Sequence, residues 1–236
     1  AVHNLGLGVA FVLLPAVVLL IRSRPGDVGL PPEAAAANAA PDPATGEGLG
    51  AIVKNPAFWL LGFSLGILFS VFSSILSNLT PYALNLGSSK EQASALIMAV
   101  AIAGFIGKVT FGMAADRFSQ RSALWAAQLL VGSALLILAM EPGHAGMLAG
   151  SFVLGLAAGG MLPVWGALMA HIFGLANYGR AMGLMGPIIT LCVMPGFAVV
   201  GRMVDTLGSY SPTLYLFAGL CLVSAVLLLP MRLQFR

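Results

Sequence analysis

The sequence predicts an all-α integral membrane protein with seven transmembrane helices, and three observations predict it. First, 59% of its 236 residues are hydrophobic and only 8% are charged, against about 25% charged in a soluble domain. With a mean hydropathy of +0.97, too little polar surface exists to cover a water-facing globule, and the solvent that remains is lipid. Second, seven runs, roughly 1–21, 57–79, 93–115, 122–140, 145–173, 182–204 and 212–230, approach or exceed the about 20 apolar residues that cross a bilayer. Third, Gly107, Gly112, Asp116 and Ser119 stand at spacings of 5, 4 and 3, and Gly196, Gly201, Asp205 and Gly208 repeat those spacings 89 residues later. The copies sit on the third and sixth runs, so one ends on each side of the membrane. That is a 3+3 inverted repeat, a signature of secondary transporters.

The first run begins without Met, and its positive charges, Arg22 and Arg24, follow it instead of preceding it. This is the reverse of a signal peptide. Residues 1–21 are expected to be a true span, the last helix of an N-terminal half that lies upstream. Residues 22–55 carry Pro25, Pro31, Pro32, Pro41 and Pro43, an alanine tract, and Gly46, Gly48 and Gly50. Such a stretch cannot bury a core and reads as a linker. Residues 56–236 then hold a six-helix bundle. With the linker in the cytoplasm, Arg22, Arg24, Lys54, Arg117, Arg121, Arg180, Arg232 and Arg236 fall on or beside that side, and only Lys90 and Arg202 fall opposite. The bias predicts a multi-pass protein of the cell (inner) membrane with linker and C-terminus cytoplasmic.

The basic residues form no run, so nucleic acid is not an expected partner. Cys192 and Cys221 lie inside apolar runs, and His3, His144 and His171 are scattered, so neither a metal nor a cofactor is expected. Gly62-Phe63-Ser64-Leu65-Gly66 matches the hydrolase elbow, but that motif needs a strand–turn–helix. Inside an apolar helix it reads as small-residue packing, and no enzyme is expected.

Lys108 lies eight residues before Asp116, about 12 Å up the helix in a hydrocarbon half-layer of about 15 Å. An ammonium there is unfavourable unless it meets water, a partner or a substrate. Three readings are open: a cavity-facing contact, an ion pair with the upstream half, or snorkelling. Helical side chains tilt toward the N-terminus, here the outer end, which opposes snorkelling. Gly104, Gly107, Gly112 and Ala115 share its face, and small residues mark the packed side. Ser70, Ser73, Ser74, Ser77 and Asn78 form one stripe on the second run, extended outward by Tyr82 and Asn85. They either line a wet path or bond back to their own helix. Trp165 follows Gly159, Gly160 and Pro163 and is either substrate-facing or core. Pro163 is expected to kink its span, and Pro187 and Pro195 to break theirs into pieces, as hinges. No carboxylate lies mid-membrane, so one that couples protons would belong to the upstream half.

Gly112-Met113-Ala114-Ala115-Asp116-Arg117-Phe118-Ser119-Gln120-Arg121 resembles the loop motif of the major facilitator superfamily, Gly-x-x-x-Asp-Arg-x-Gly-Arg-Arg. Ser119 stands where the motif has glycine, and Gln120 replaces its first basic residue. The run from Arg22 through Pro25, Asp27 and Gly29 to Glu33 resembles the central loop of the monocarboxylate and oxalate–formate carrier branch. Phe173-Gly174, Tyr178-Gly179-Arg180 and the stretch from Asp205 to Tyr210 fit that branch too.

The resemblance implies that the runs are helices 6 to 12 of such a carrier. It implies that Gly112, Asp116, Arg117 and Arg121 form a conformational latch, with Asp116 meeting a helix N-terminus of the other half. Lys108 resembles in position a substrate-binding arginine of monocarboxylate carriers, four residues before the motif glycine. It keeps the charge without the bidentate fork. The expected function is secondary active transport of a small organic anion, a monocarboxylate or dicarboxylate, by alternating access. Lys108, Ser70, Ser73, Ser77, Asn78 and Trp165 would contact substrate. The partners are that substrate, the lipid bilayer and an N-terminal six-helix half, without which the chain lacks the opposite wall of its cavity. Efflux of an amphipathic drug-like compound is the alternative, suited by eleven methionines. A non-transporting membrane sensor is the remote one.

Overall fold

The computed structural model describes residues 48–117 and 119–230, excepting the side chains at 114–117. The expected span 1–21 and most of the linker 22–55 lie outside the described residues. Those described fall in one compact unit, Pro43–Arg236, and every helix or strand among them is an α-helix: α1 (Leu49–Lys54), α2 (Pro56–Asn85), α3 (Lys90–Arg117), α4 (Gln120–Ala139), α5 (His144–Leu207) and α6 (Ser211–Leu227). Local chemistry sets several boundaries. The Asn55 side chain accepts from the Ala57 amide, with Pro56 at the first helical position of α2. Ser119 caps α4 by accepting from the Ser122 amide. Gly87, at φ 81°, turns the chain between α2 and α3. Four of these helices are long and apolar enough to cross a membrane, and α6 is a shorter apolar one of 17 residues.

Helix α5 has 64 residues and would run about 96 Å if straight, some three times the hydrocarbon core. It does not run straight. Gly174 leaves helical geometry at φ 71°, ψ 163° and divides α5 into arms, 144–173 and 175–207. On the first arm Phe173 meets Phe58 and Trp165 meets Phe69, so numbers fall as those of α2 rise. On the second arm Met185 and Ile188 lie over Gly62, Cys192 over Gly66 and Gly196 over Ser70, so both rise together. The arms therefore run in opposite senses. Tyr178 closes the bend by setting its hydroxyl against Gly166.

The expected connection between the fifth and sixth runs is thus helical except at one residue. The break foreseen at Pro187 and Pro195 is absent, and Pro163 likewise stays inside the helix. Proline removes one hydrogen bond but holds φ at a helical value, and packed neighbours let membrane helices tolerate that loss. The Gly174 conformation is, in contrast, essentially open only to glycine. A methyl group there would meet nothing within 4 Å, so Gly174→Ala isolates backbone strain from crowding. It is expected to destabilise by about 1–3 kcal/mol, read as a lower unfolding temperature in detergent. An unchanged temperature would contradict the assignment.

The helices close on glycine. A methyl on Gly107 would strike the Leu156 carbonyl, and one on Gly159 would lie 2.7 Å from the Lys108 amide nitrogen, so α3 meets the first arm backbone to backbone. A methyl on Gly196 would strike the Ser70 hydroxyl and sit 2.6 Å from the Ser74 hydroxyl, so the second arm meets α2 with a glycine seated on serine side chains. The repeat is visible in this pairing. Gly107 and Gly196, its first glycines, are both packed, while Gly112 and Gly201, its second, both face open space. In a 3+3 inverted repeat, α3 on the first arm corresponds to the second arm on α2, as observed. The alternating senses put Lys54, Arg121 and Arg180 at one end of the bundle and Lys90 and Arg202 at the other.

Candidate functional site

Helix α3 packs through one side only. Ala93, Leu96, Val100, Ala103 and Phe111 are buried, while Met98, Ile102, Phe105 and Val109 are open, Phe105 at 72% exposure. Lys108 is exposed at the edge of that open side, one residue past Gly107 and against the Gly159 crossing. It makes no hydrogen bond or ion pair among the described residues. Its position is about 7 Å from the midpoint of α3, toward the Arg117 end. The face expected to pack around it divides: Gly107 is buried against the first arm, whereas Gly112 faces open space.

The polar stripe divides as well. Ser77 Oγ donates to the Ser74 carbonyl at 3.0 Å, and Asn78 Nδ2 donates to the same carbonyl at 2.9 Å. These two side chains bond back to their own helix. Ser70 and Ser74 are buried under Gly196, and Ser73 is half-buried. Ser70 also borders a cavity of about 160 Å³ with Cys192, Pro195 and Gly196. Farther out, Tyr82 donates to the Leu138 carbonyl at 2.5 Å and meets Tyr210 edge-on. Burial, and then the charge of Asp205, push the Tyr210 phenol above its ordinary pKa. Asn85 is exposed.

Trp165 stands edge-on to Phe69 at 5.9 Å, and its indole nitrogen is buried without a partner. It lies two residues beyond Pro163 and about 9 Å along the first arm from the Gly159 crossing. Of the residues expected to form a latch, Asp116 and Arg117 close α3, and their side chains lie outside the described set. Arg121 turns to its own bundle, donating from Nη2 to the Leu229 carbonyl at 2.9 Å, with its guanidinium 4.5 Å from the Trp125 ring centre. Cys192 and Cys221 are free thiols, and no metal-ligating cluster occurs among the described residues.

Sequence reasoning missed a buried polar cluster where α2, α4 and α6 meet. Ser64 Oγ donates to the Ser224 carbonyl at 3.0 Å, and Ser224 Oγ donates to the Ser64 carbonyl at 2.8 Å. Both hydroxyl hydrogens are then used. Gln128 Nε2 donates to the hydroxyl oxygens of Ser64 and Ser224, at 2.9 and 2.8 Å, which fixes the amide orientation. All three residues are fully or almost fully buried. Ser64 is the central residue of the elbow-like pattern, so its chemistry here is helix joining. At the opposite end from Arg121, Glu141 accepts from Ser209 and Ser211, at 3.2 and 2.6 Å. Together with Trp125 Nε1 donating to Ala225, these bonds fasten α4 to α6 at both ends and in the middle.

Antiparallel apolar rods related by an inverted repeat are the architecture of a membrane carrier half. The pattern of the Major Facilitator Superfamily matches residues 73–234, and the chain belongs to that family. It is 25% identical over 185 residues to the agnestins efflux protein AgnL12 of Paecilomyces divaricatus, covering 78% of this chain and 42% of that protein. It is 26% identical over 171 residues to human monocarboxylate transporter 12, covering 70% and 33%. The chain thus spans less than half the length of these curated relatives. The E. coli fucose:proton symporter FucP shares the fold, with a TM-score of 0.65 at 18% identity over 76% of this chain and 43% of that one. FucP in an outward conformation superposes with a TM-score of 0.59 at 20% identity, over 72% and 41%.

Proposed function

We propose that this chain is the C-terminal half, with the preceding helix and linker, of a carrier that moves a small organic anion by alternating access. The anion binds at Lys108. The observation that carries the reading is a lone ammonium on the open side of an apolar helix, unpaired among the described residues. Such a charge in a membrane helix is a functional site by default. The likeness to monocarboxylate transporter 12 supports a carboxylate as the substrate class. Trp165, with its unpartnered indole N–H, and Ser73 are the further contacts this reading favours. Ser70, Ser77 and Asn78 border the path while bonded or packed within the bundle. Gly112, Asp116 and Arg117 act on the upstream half as a latch, and Pro163, Pro187 and Pro195 act as points of bending. The end bearing Lys54, Arg121 and Arg180 is cytoplasmic by the positive-inside rule.

The test is uptake of a panel of labelled carboxylates by cells expressing the protein in its natural full length. Lys108→Ala is expected to reduce uptake about a hundredfold or more, the range set by leaving a bound anion unpaired. Lys108→Arg should retain much of it. Normal uptake by Lys108→Ala at equal surface expression rejects the anion reading. A second reading, efflux of an amphipathic compound, is supported by the efflux relative and by the apolar open side of α3. Efflux of an uncharged compound should survive Lys108→Ala, so the same variant separates the two.

A further inference from the structure

A groove runs along the seam between α4 and α6 on the surface of the bundle. Its deeper part is a cavity of about 340 Å³ reaching up to Leu136 and Tyr215. A second hollow of about 260 Å³ shares Leu129, Leu222 and Ala225 with it and runs down to Trp125 and Leu229. The walls are apolar, and Leu129, Leu136, Leu222 and Leu229 are exposed, the composition that a lipid-facing surface takes. Gly132 and Gly219 keep the floor low. From Trp125 to Leu136 the groove extends eleven residues along α4, about 16 Å, close to the hydrocarbon depth of one leaflet, about 15 Å.

The groove is apolar along its length and cationic at one end. Trp125 forms its mouth, and the Arg121 guanidinium lies over that ring while holding the Leu229 carbonyl. A guanidinium has five N–H donors in a planar fork that matches phosphate, and tryptophan is enriched at the membrane interface, beside which the Lys and Arg of cytoplasmic loops collect. Arg121 is also the second residue of α4, whose N-terminus adds a partial positive charge. We propose that this groove binds one phospholipid of the adjoining leaflet. An acyl chain lies between α4 and α6, and the phosphate rests beside Arg121, with anionic headgroups preferred. The contact joins the two helices that the buried Gln128–Ser224 bonds already tie, so a bound lipid fills a seam of the bundle and not the transport path.

The experiment uses the protein in vesicles containing phosphatidylglycerol with a photoactivatable group at mid-chain, followed by peptide mapping. Label is expected on 125–136 and 215–229. A Cβ at Gly219 meets nothing within 4 Å, and Gly219 lines the cavity, so Gly219→Leu enters the groove and should reduce label on these peptides about tenfold. The unfolding temperature should stay unchanged. Arg121→Gln should abolish the preference for phosphatidylglycerol over a phosphatidylcholine probe. Unchanged labelling in Gly219→Leu overturns the proposal, as does cross-linking of a second copy of the chain through the groove. Equal labelling by the two probes in the unaltered protein overturns the role of Arg121.

Discussion

Alanine at Gly159 is expected to separate α3 from the first arm of α5 and to destabilise the bundle by about 3 kcal/mol. The added methyl would strike the Gly104 carbonyl and lie 2.7 Å from the Lys108 amide nitrogen and 2.9 Å from the Gly107 carbonyl carbon. These are backbone atoms of a neighbouring helix, so no rotamer change relieves the clash. Overpacking of that kind costs about 1–3 kcal/mol where side chains can yield, and the upper end applies where they cannot. In a detergent melt the shift corresponds to roughly 6–12 °C for a bundle of this size. Gly201→Ala is the matched control. It adds the same atom on the same long helix, into space with nothing within 4 Å, and should leave the melt unchanged or slightly raised by alanine's helix propensity. Equal behaviour of the two variants would reject backbone contact as the bond between α3 and the arm.

The second large effect is expected at Gln128. Truncation to alanine removes both donors that the Ser64 and Ser224 hydroxyl oxygens accept from and leaves a hole where three helices meet. The void and the lost bonds together should destabilise by about 2–4 kcal/mol. Gln128→Leu keeps most of the volume and should cost less, about 1 kcal/mol, in line with the modest value of single polar bonds within membranes. Ser224→Ala combined with Gln128→Ala should fall short of the sum of the single effects, because both variants break the same bonds. Additive losses in the melting temperature would show that the three residues act separately.

The architecture was largely legible in the sequence because lipid imposes a simple requirement, an apolar run of sufficient length, and six such runs became rods of the bundle. The inverted repeat was legible for a related reason: Gly107 and Gly196 occupy equivalent close crossings that admit no side chain. What stayed hidden depends on partners far away along the chain. Whether Ser77 and Asn78 line a path or bond back to Ser74 is decided by which side of α2 the second arm covers. Gln128 is a single amide in an apolar run, and nothing local reveals that its partners lie 64 and 96 residues away. The break into pieces expected at Pro187 and Pro195 did not form, because the fixed φ of proline suits a helix even where its missing N–H costs a bond. Gly174 was noticed only within a family pattern, although it alone of the α5 residues departs from helical backbone.

Gly174 carries one more consequence. Because helix resumes at once after it, the two arms share a common phase, as two gears do on one shaft. One inserted residue beyond the bend would turn the second arm by about 100° and advance it about 1.5 Å, carrying Gly196 off Ser70 and Cys192 off Gly66. A conventional loop would absorb such a change. Here the chain length between Gly159, which seats α3, and Gly196, which seats α2, is itself part of the fold, and a deletion at the bend would be felt at both seats.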